Sequence, residues 1–504
     1  MVRSRGSAHE QRGLLSSVLI GFLVPIFCSA VPPAHAQQTV PAQTPASSNQ
    51  NPEVRSTPPV TSLPSTALDP SSLIRQPLPG AARVSPAPAQ LSLSDAIQLA
   101  LQNNLATLSA QEQRREATGF VQQARSALLP NISGASYQAN LTVNIAALGF
   151  QPGTFPGIQT SFIGPFNNFD ARAQLVQRIF DLSAIRNYQS SKQGIRIAEF
   201  RQQLAREQVS EATALTYLET LRSERNVSAA QANVTLAEAL LKLAQDQRNA
   251  GIATGVDVTR AETRLAQERV NLAQTQTTAE QARLNLQRVI GVPLGSALVL
   301  TDQLTFTAEP LPQTDSAVSD ALAHRAEVLI SEAQVNMANL ERKAVQGEYL
   351  PSLQFEGDYG TSGITPVDTA LPTRRVAVQL NVPIFNGGLT QGRMTVATSR
   401  QHDAELQLGS VRGQVEQDVR LAISSLRTTV ERVRAADEAA LLAQRELDMS
   451  RDRFRAGVAD NLEVINAQAS LADARAAQVQ ALAVYNAARL NLAAALGRAE
   501  AFRW

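Results

Sequence analysis

The sequence predicts an α+β fold in which long antiparallel helix pairs hang from a four-stranded sheet, the whole unit occurring twice. Three observations predict it. Residues 182–248 hold no proline and one glycine, Gly194, and no proline occurs from Ile384 to the C-terminus. Four other stretches of ~10–12 residues alternate between apolar and polar, the period of a strand with two different faces. Finally, residues 243–291 align with 449–497 without a gap. The pairs include Ala250 with Ala456, Gly251 with Gly457, Val258 with Val464, Ala261 with Ala467, Leu265 with Leu471, Arg283 with Arg489, Asn285 with Asn491 and Gly291 with Gly497. Such self-similarity marks a duplicated structural unit.

The N-terminus reads as a targeting segment. Arg3, Arg5 and Arg12 precede an apolar run over 14–27, and Ala34-His35-Ala36 fits a small-x-small cleavage pattern. The run is broken by Pro25 and is short for the ~20 residues of a membrane helix. A signal peptide over 1–36 is expected. Its removal leaves 42 basic and 43 acidic residues, a balance with no nucleic-acid footprint. The single cysteine, Cys28, lies in that segment. The bulky Phe27 before it argues against lipid attachment, and the mature chain has no disulfide or thiolate chemistry. No mature stretch is apolar enough for a membrane-spanning helix. Aromatic residues are 4% of the 504, which favours long helices over a deep mixed core.

Residues 37–90 hold eleven prolines and are expected to be a disordered leader. A first repeat is expected over 91–297. Its first helix is capped by Ser94 or Asp95, carries Ile97, Leu101, Leu105 and Leu108 on one face, and runs to Leu129 before Pro130. In the first strand Ala135, Tyr137, Ala139, Leu141, Val143 and Ile145 alternate with Ser136, Gln138, Asn140, Thr142 and Asn144. A Gly/Pro/Phe-rich segment follows over 148–168. Phe150, Phe155, Phe162, Phe166 and Phe169 there suit either an interfacial belt or local packing. The second strand sets Ala171, Ala173, Leu175 and Ile179 against Arg172, Gln174 and Arg178. A helix of 67 residues then reaches ~100 Å at ~1.5 Å per residue.

A linking segment is expected over 298–315, a second repeat over 316–497 and a tail over 498–504. The third strand sets Leu353, Phe355 and Tyr359 against Gln354, Glu356 and Asp358. The fourth sets Val376, Val378, Leu380, Val382 and Ile384 against Arg375, Ala377, Gln379 and Asn381. In the last helix Ala467, Ala474, Ala481, Ala488 and Ala495 recur every seven residues, a small-residue seam for close helix packing.

Two turns interrupt the long helices. Gly251 and Gly457 each follow a helical run as a C-cap residue would. Small or polar residues, including Gly255 and Asp460, open the returning helix, and an acid, Asp257 or Glu463, stands six residues after the glycine. Both read as tight links between antiparallel helices.

Strands of this length and alternation suit an outer-membrane barrel, with polar groups toward a wet lumen and apolar ones toward lipid. Four strands cannot close a barrel, and an open edge in lipid leaves backbone groups unpaired. Several chains must therefore pool their strands. Two chains give eight strands, an interior just filled by side chains; three give twelve, enough for a pore.

The chain resembles the TolC family of outer-membrane efflux proteins over residues 91 to about 497. The resemblance rests on Leu-Ser-Asp-Ala-Ile-Gln-Leu-Ala-Leu-Gln-Asn-Asn (93–104), Ala-Leu-Leu-Pro (127–130), Glu-Tyr-Leu-Pro (348–351), Val-Pro-Ile-Phe-Asn-Gly-Gly (382–388) and both turns. It implies a homotrimer whose twelve-stranded barrel is continued by a periplasmic α-helical barrel. It also implies a passive exit duct whose tips dock to a periplasmic adaptor and an inner-membrane transporter. Matched positions place Glu463 and Asn466, with Asp257 and Asp460, at the pore constriction. Gly251, Gly255, Phe454 and Gly457 fall at the docking tips. The family closes its tip by linking an aromatic hydroxyl and an arginine of the second turn to an acid of the first. Here that acid matches Asp257, but the hydroxyl position is Phe454 and the arginine position is Ala459. Arg453 and Arg455 are the candidate replacements.

No phosphate-binding loop is present, and His35, His324 and His402 lack metal-ligand spacing. His402 and Asp403 read as a surface pair. Neither an enzyme, a cofactor nor a metal is expected. The alternative reading is a structural periplasmic coiled-coil protein such as an adaptor. It requires neither lipid-facing strands nor duplication of the whole unit.

Overall fold

A computed structural model describes residues 80–503, apart from 152, 154–159, 308–309 and 368. The expected signal peptide, Cys28, and leader residues 37–79 lie outside the described residues. The first half runs β1 (Gln90–Leu91), α1 (Leu93–Asn103), α2 (Leu105–Ser126), β2 (Asn131–Asn144), β3 (Phe162–Phe180), α3 (Leu182–Asn249) and α4 (Gly255–Ile290). After β4 (Val299–Leu300), the second half runs α5 (Thr314–His324), α6 (Ala326–Gly347), β5 (Ser352–Gly363), β6 (Leu371–Asn381), α7 (Leu389–Arg455) and α8 (Asn461–Ala495). Corresponding helices have 11 and 11, 22 and 22, 68 and 67, and 36 and 35 residues. The duplication therefore covers the whole unit and not only the hairpin.

Several boundaries differ from expectation. Ser92, not Ser94 or Asp95, caps α1. Its hydroxyl accepts from Asp95 N–H at 3.3 Å, and the Asp95 carboxylate accepts from Ser92 N–H at 3.3 Å, a reciprocal cap. The single helix expected up to Leu129 breaks at Asn104. Its backbone is extended (ψ 137°) and its side chain accepts from Ala106 N–H at 2.8 Å, competing locally with the helix. Arg325 makes the equivalent break between α5 and α6. Residues 80–90 of the expected leader are ordered. Ala82 N–H donates to Asn103 O at 2.7 Å and Ser85 N–H to Gly291 O at 2.8 Å. These bonds occupy carbonyls at helix C-termini that have no partner within the helix. β3 begins at Phe162, inside the segment expected to be irregular. β6 stops at Asn381, leaving Ile384 94% exposed.

Two cores lie at the level of the short helices. One gathers Leu91, Leu93, Ile97, Tyr217, Leu286 and Ile290. Buried Tyr217 donates to either Leu91 O at 2.9 Å or Asp302 Oδ2 at 2.8 Å, and Asp302 Oδ2 also accepts from Leu93 N–H at 2.8 Å. The other gathers Val328, Val419, Ile423, Val433, Tyr485 and Leu492. Along the hairpins Val258, Leu265 and Leu286 of α4 are buried, and of the expected alanine seam of α8, Ala467, Ala481, Ala488 and Ala495 are buried. The tail packs too. Glu207 accepts from Ala499 N–H at 2.6 Å, Arg206 pairs with Glu500, and Phe502 is buried.

Between α3, α6 and α7, Glu211 faces Arg325 together with Glu207, Glu327 and Asp418. Burial pushes its carboxyl above the usual range; Arg325 opposes the shift and the three acids add to it. Folded Glu211 thus holds a proton at pH values where the unfolded chain has lost it, so stability falls as pH rises through that window. Glu211→Gln is expected to raise the melting temperature at pH 7 by a few degrees, with the gain shrinking as pH falls toward 4. Melts of both proteins across pH, followed by circular dichroism, check this.

The strands form one antiparallel sheet in the order β2-β3-β5-β6, with β2 and β6 as open edges among the described residues. Leu175 pairs with Gly357, Phe355 with Val378, and Leu353 with Leu380, so these share the apolar face. Val376, Val378, Leu380 and Tyr359 are exposed on it. On the opposite face Arg172 joins Asp170 and Asp358 (3.3 Å to the latter), while Arg375 bridges Asp358 at 3.1 Å and Glu356 at 3.3 Å.

β2 reverses its expected faces. Ala135 pairs with Arg172 and Tyr137 with Asp170, which puts the odd residues on the polar side. Its alternation of alanine and tyrosine against serine and glutamine is weak, and the register with β3 decides the outcome. The expected Ile145 lies beyond the strand and is buried. Phe155 lies outside the described residues, and Phe166 and Phe169 point to opposite faces. Among the described residues, no helix is long and apolar enough to cross a membrane.

Candidate aperture at the hairpin tips

Each long helix ends in a glycine turn far from the sheet. After α3, Gly251 adopts φ +77°, and Ile252 and Ala253 N–H both return to Gln247 O at 2.9 and 3.1 Å. After α7, Gly457 adopts φ +72° and Val458 N–H returns to Arg453 O at 3.1 Å. These left-handed glycines satisfy the last helical carbonyls at little steric cost.

The next helices start with caps. Thr254 N–H and its hydroxyl both donate to Asp257 Oδ2, at 2.8 and 2.6 Å. The Thr254 hydroxyl, more than its backbone N–H or Arg260 at 3.8 Å, holds the Asp257 carboxyl below the usual range against some burial. Asp460 caps α8 by accepting from Glu463 N–H at 3.2 Å.

The family-implied closing contacts are replaced. The Asp257 carboxylate is engaged within its own turn. Its backbone carbonyl instead accepts from Asn461 Nδ2 at 2.8 Å, and Asn461 is buried. Arg453 and Arg455 do not substitute for the missing link to Asp257. Arg453 Nε lies 3.2 Å from Glu463 Oε1, and Arg455 lies 3.7 Å from Asp452. Phe454 is 4% exposed and packs with Leu240, Leu447, Val464 and Leu471. It supports the turn from inside and is not part of the tip surface. Gly251, Gly255 and Gly457 are exposed, as are Ile252, Val256, Val458 and Leu462.

Of the expected constriction residues, Asp460 and Asn466 are exposed and Glu463 is half-buried against α7, where Ser450 Oγ also donates to it at 3.4 Å. Asp257 and Asn461 are brought together. Asn461 escaped sequence reasoning. Its signal was a departure from the repeat, since the aligned residue in the first turn is Gly255. Among the described residues no cluster of His, Cys, Asp or Glu is arranged to hold a metal.

Long helical hairpins thus end in paired turns and hang from a sheet with one exposed apolar face. Residues 96–292 and 317–498 match the family described as "Outer membrane efflux protein". The chain belongs to the outer membrane efflux protein family; its place is the cell outer membrane, with the helices forming a tunnel in the periplasm. It is 23% identical over 426 residues to the outer membrane protein TolC of Escherichia coli, covering 81% of this chain and 83% of TolC. It is 25% identical over 391 residues to the alkaline protease secretion protein AprF of Pseudomonas aeruginosa, covering 76% and 79%. It is 24% identical to the pyoverdine export outer membrane protein OpmQ of the same species. That match covers 62% of this chain and 65% of OpmQ, just under two-thirds of the relative. In fold it is similar to the outer membrane protein VceC of Vibrio cholerae, with a TM-score of 0.70 at 20% identity over 81% of this chain and 96% of VceC.

Proposed function

We propose that three copies of this chain form a passive exit duct, docked through the hairpin tips to a periplasmic adaptor and an inner-membrane pump that supplies the energy. One observation carries this reading. The sheet β2-β3-β5-β6 has an exposed apolar face and, among the described residues, two unpaired edges, and in lipid those edges must be paired. Joining β6 of one copy to β2 of the next closes the barrel, and three copies pool twelve strands, enough for a lumen. The polar face with Arg172, Asp358 and Arg375 then lines water and Val376, Val378 and Leu380 meet outer-membrane lipid. Glu463, Asn466, Asp460 and Asp257 surround the periplasmic aperture. Exposed Ile252, Val256, Val458 and Leu462, beside Gly251, Gly255 and Gly457, present the adaptor with a docking surface. A lone periplasmic adaptor gives no reason for a sheet with lipid-suited and water-suited faces on a fully duplicated chain.

The purified protein is expected to run as a trimer in detergent and to conduct ions across a planar bilayer. A monomer that stays in solution without detergent and passes no current would overturn this reading.

A further inference from the structure

We infer that Arg453 sets the charge selectivity of the aperture by neutralising Glu463, so that the duct admits anionic and zwitterionic cargo as readily as cationic cargo. The inference rests on the reading of the tips as a pore and adds its selectivity.

Three acids at the tip sit against arginines of their own hairpin, while Asp460 faces the first-turn N–H groups of α8, whose partial positive charge it caps. Arg453 Nε is 3.2 Å from Glu463 Oε1, Arg260 is 3.8 Å from Asp257, and Arg455 is 3.7 Å from Asp452. Glu463 is the one at issue, because it begins the exposed stripe of α8 that continues through Asn466, Ser470 and Asp473. In water such a pair contributes little to stability. Its effect on the local field does not depend on that strength: an adjacent cation and anion sum to zero net charge and leave a dipole, whose field falls off faster than that of a single charge. A solute at the axis of a trimer therefore meets no net charge from this pair. Asn466, one turn further on, contributes none.

The Arg453 guanidinium is tied down on one side only. Its Nε reaches Glu463, while the side chain remains about half exposed, 58% against 41% for Glu463. It stands at the mouth with its partner, where rings of charged side chains govern which ions enter. Removing it uncovers three Glu463 carboxylates at once in a trimer; removing Glu463 uncovers three guanidinium groups.

The test is the reversal potential of the full-length protein in planar bilayers under a potassium chloride gradient. The wild type is expected to show a potassium-to-chloride permeability ratio within ~3-fold of unity. Arg453→Gln is expected to move the ratio toward potassium by ~5-fold or more, and Glu463→Gln to move it toward chloride. Arg453→Lys, which keeps the charge, is expected to restore the wild-type ratio. A wild type that is strongly cation-selective, or an Arg453→Gln channel with an unchanged ratio, would overturn the inference while leaving the duct standing. Should Arg453→Gln fail to assemble, an unchanged ratio in Glu463→Gln overturns it equally. Absence of any conductance in the wild type would instead remove the underlying reading.

Discussion

Gly291→Ala is expected to destabilise the protein severely, while the same change at its repeat-related partner, Gly497, is expected to be mild. Both glycines follow the returning helix of a hairpin and both are left-handed, with φ +74° and +70°. An alanine in that conformation costs ~1–2 kcal/mol at either site. The surroundings separate them. At Gly291 a Cβ would lie 2.6 Å from Ala81 Cβ, 2.6 Å from Arg83 O and 2.8 Å from Asn103 Cβ. At Gly497 the nearest atom is Arg325 Cγ at 3.5 Å, an ordinary contact.

The crowding at Gly291 comes mostly from the segment at residues 81–83, with Asn103 of α1 adding to it. That segment passes over the ends of α1 and α4 and bonds to both, so the helix end cannot yield without breaking Ser85 N–H to Gly291 O. Overpacking of this kind adds ~1–3 kcal/mol, for a total of ~2–5 kcal/mol at Gly291 against ~1–2 at Gly497. Thermal melts of the two variants measure the difference. Equal losses would mean that the segment over Gly291 moves aside freely.

The same pair shows what could be read from the chain beforehand. The two glycines, the hairpins and the aligned repeat were legible because helix length and turn conformation are local properties, set by the absence of proline and by residues free to take positive φ. The ordering of residues 80–90 was not. Their composition is that of a disordered leader, and their order comes from carbonyls at the ends of α1 and α4, hundreds of residues apart in the case of Gly291. The faces of β2 failed for a similar reason. Tyr137 and Ala135 pattern as an apolar row, but hydrogen bonding to β3 places them beside Asp170 and Arg172. Strands whose own alternation is strong, such as β6 with Val376, Val378 and Leu380, were read correctly. At the tips, sequence located the turns and the acids. It missed the contact between the turns, because a backbone carbonyl as acceptor leaves no mark on residue identity.

That contact yields the other large effect. Asn461→Ala is expected to open the aperture. The Asn461 carboxamide is the buried donor that joins the second turn to Asp257 O of the first, at 2.8 Å. The neighbouring bond from Gln247 Nε2 to Arg455 O is 3.5 Å long, at the weak limit of a hydrogen bond. Asp257 O lies in the first turn of α4 and keeps its helical donor, so removing the carboxamide costs the closed tip one hydrogen bond, ~0.5–1.5 kcal/mol in each chain. If three chains open together the costs add to ~1.5–4.5 kcal/mol, which moves the closed-to-open ratio by ~10-fold or more. Single-channel recordings are expected to show long high-conductance openings in Asn461→Ala and nearly wild-type gating in Gln247→Ala.

Asn461→Asp sharpens the test. At neutral pH its carboxylate has no proton to donate and repels the Asp257 carbonyl, so it should open the tip at least as far as alanine does. Once acid protonates it, it regains a donor and should close again. The wild-type contact has no titrating partner, and the Asp257 carboxyl stays ionised to below the usual range, so wild-type gating should not follow pH through this region. If the aspartate variant gates like the wild type at pH 7, the turns are held together by packing around Phe454 and not by Asn461.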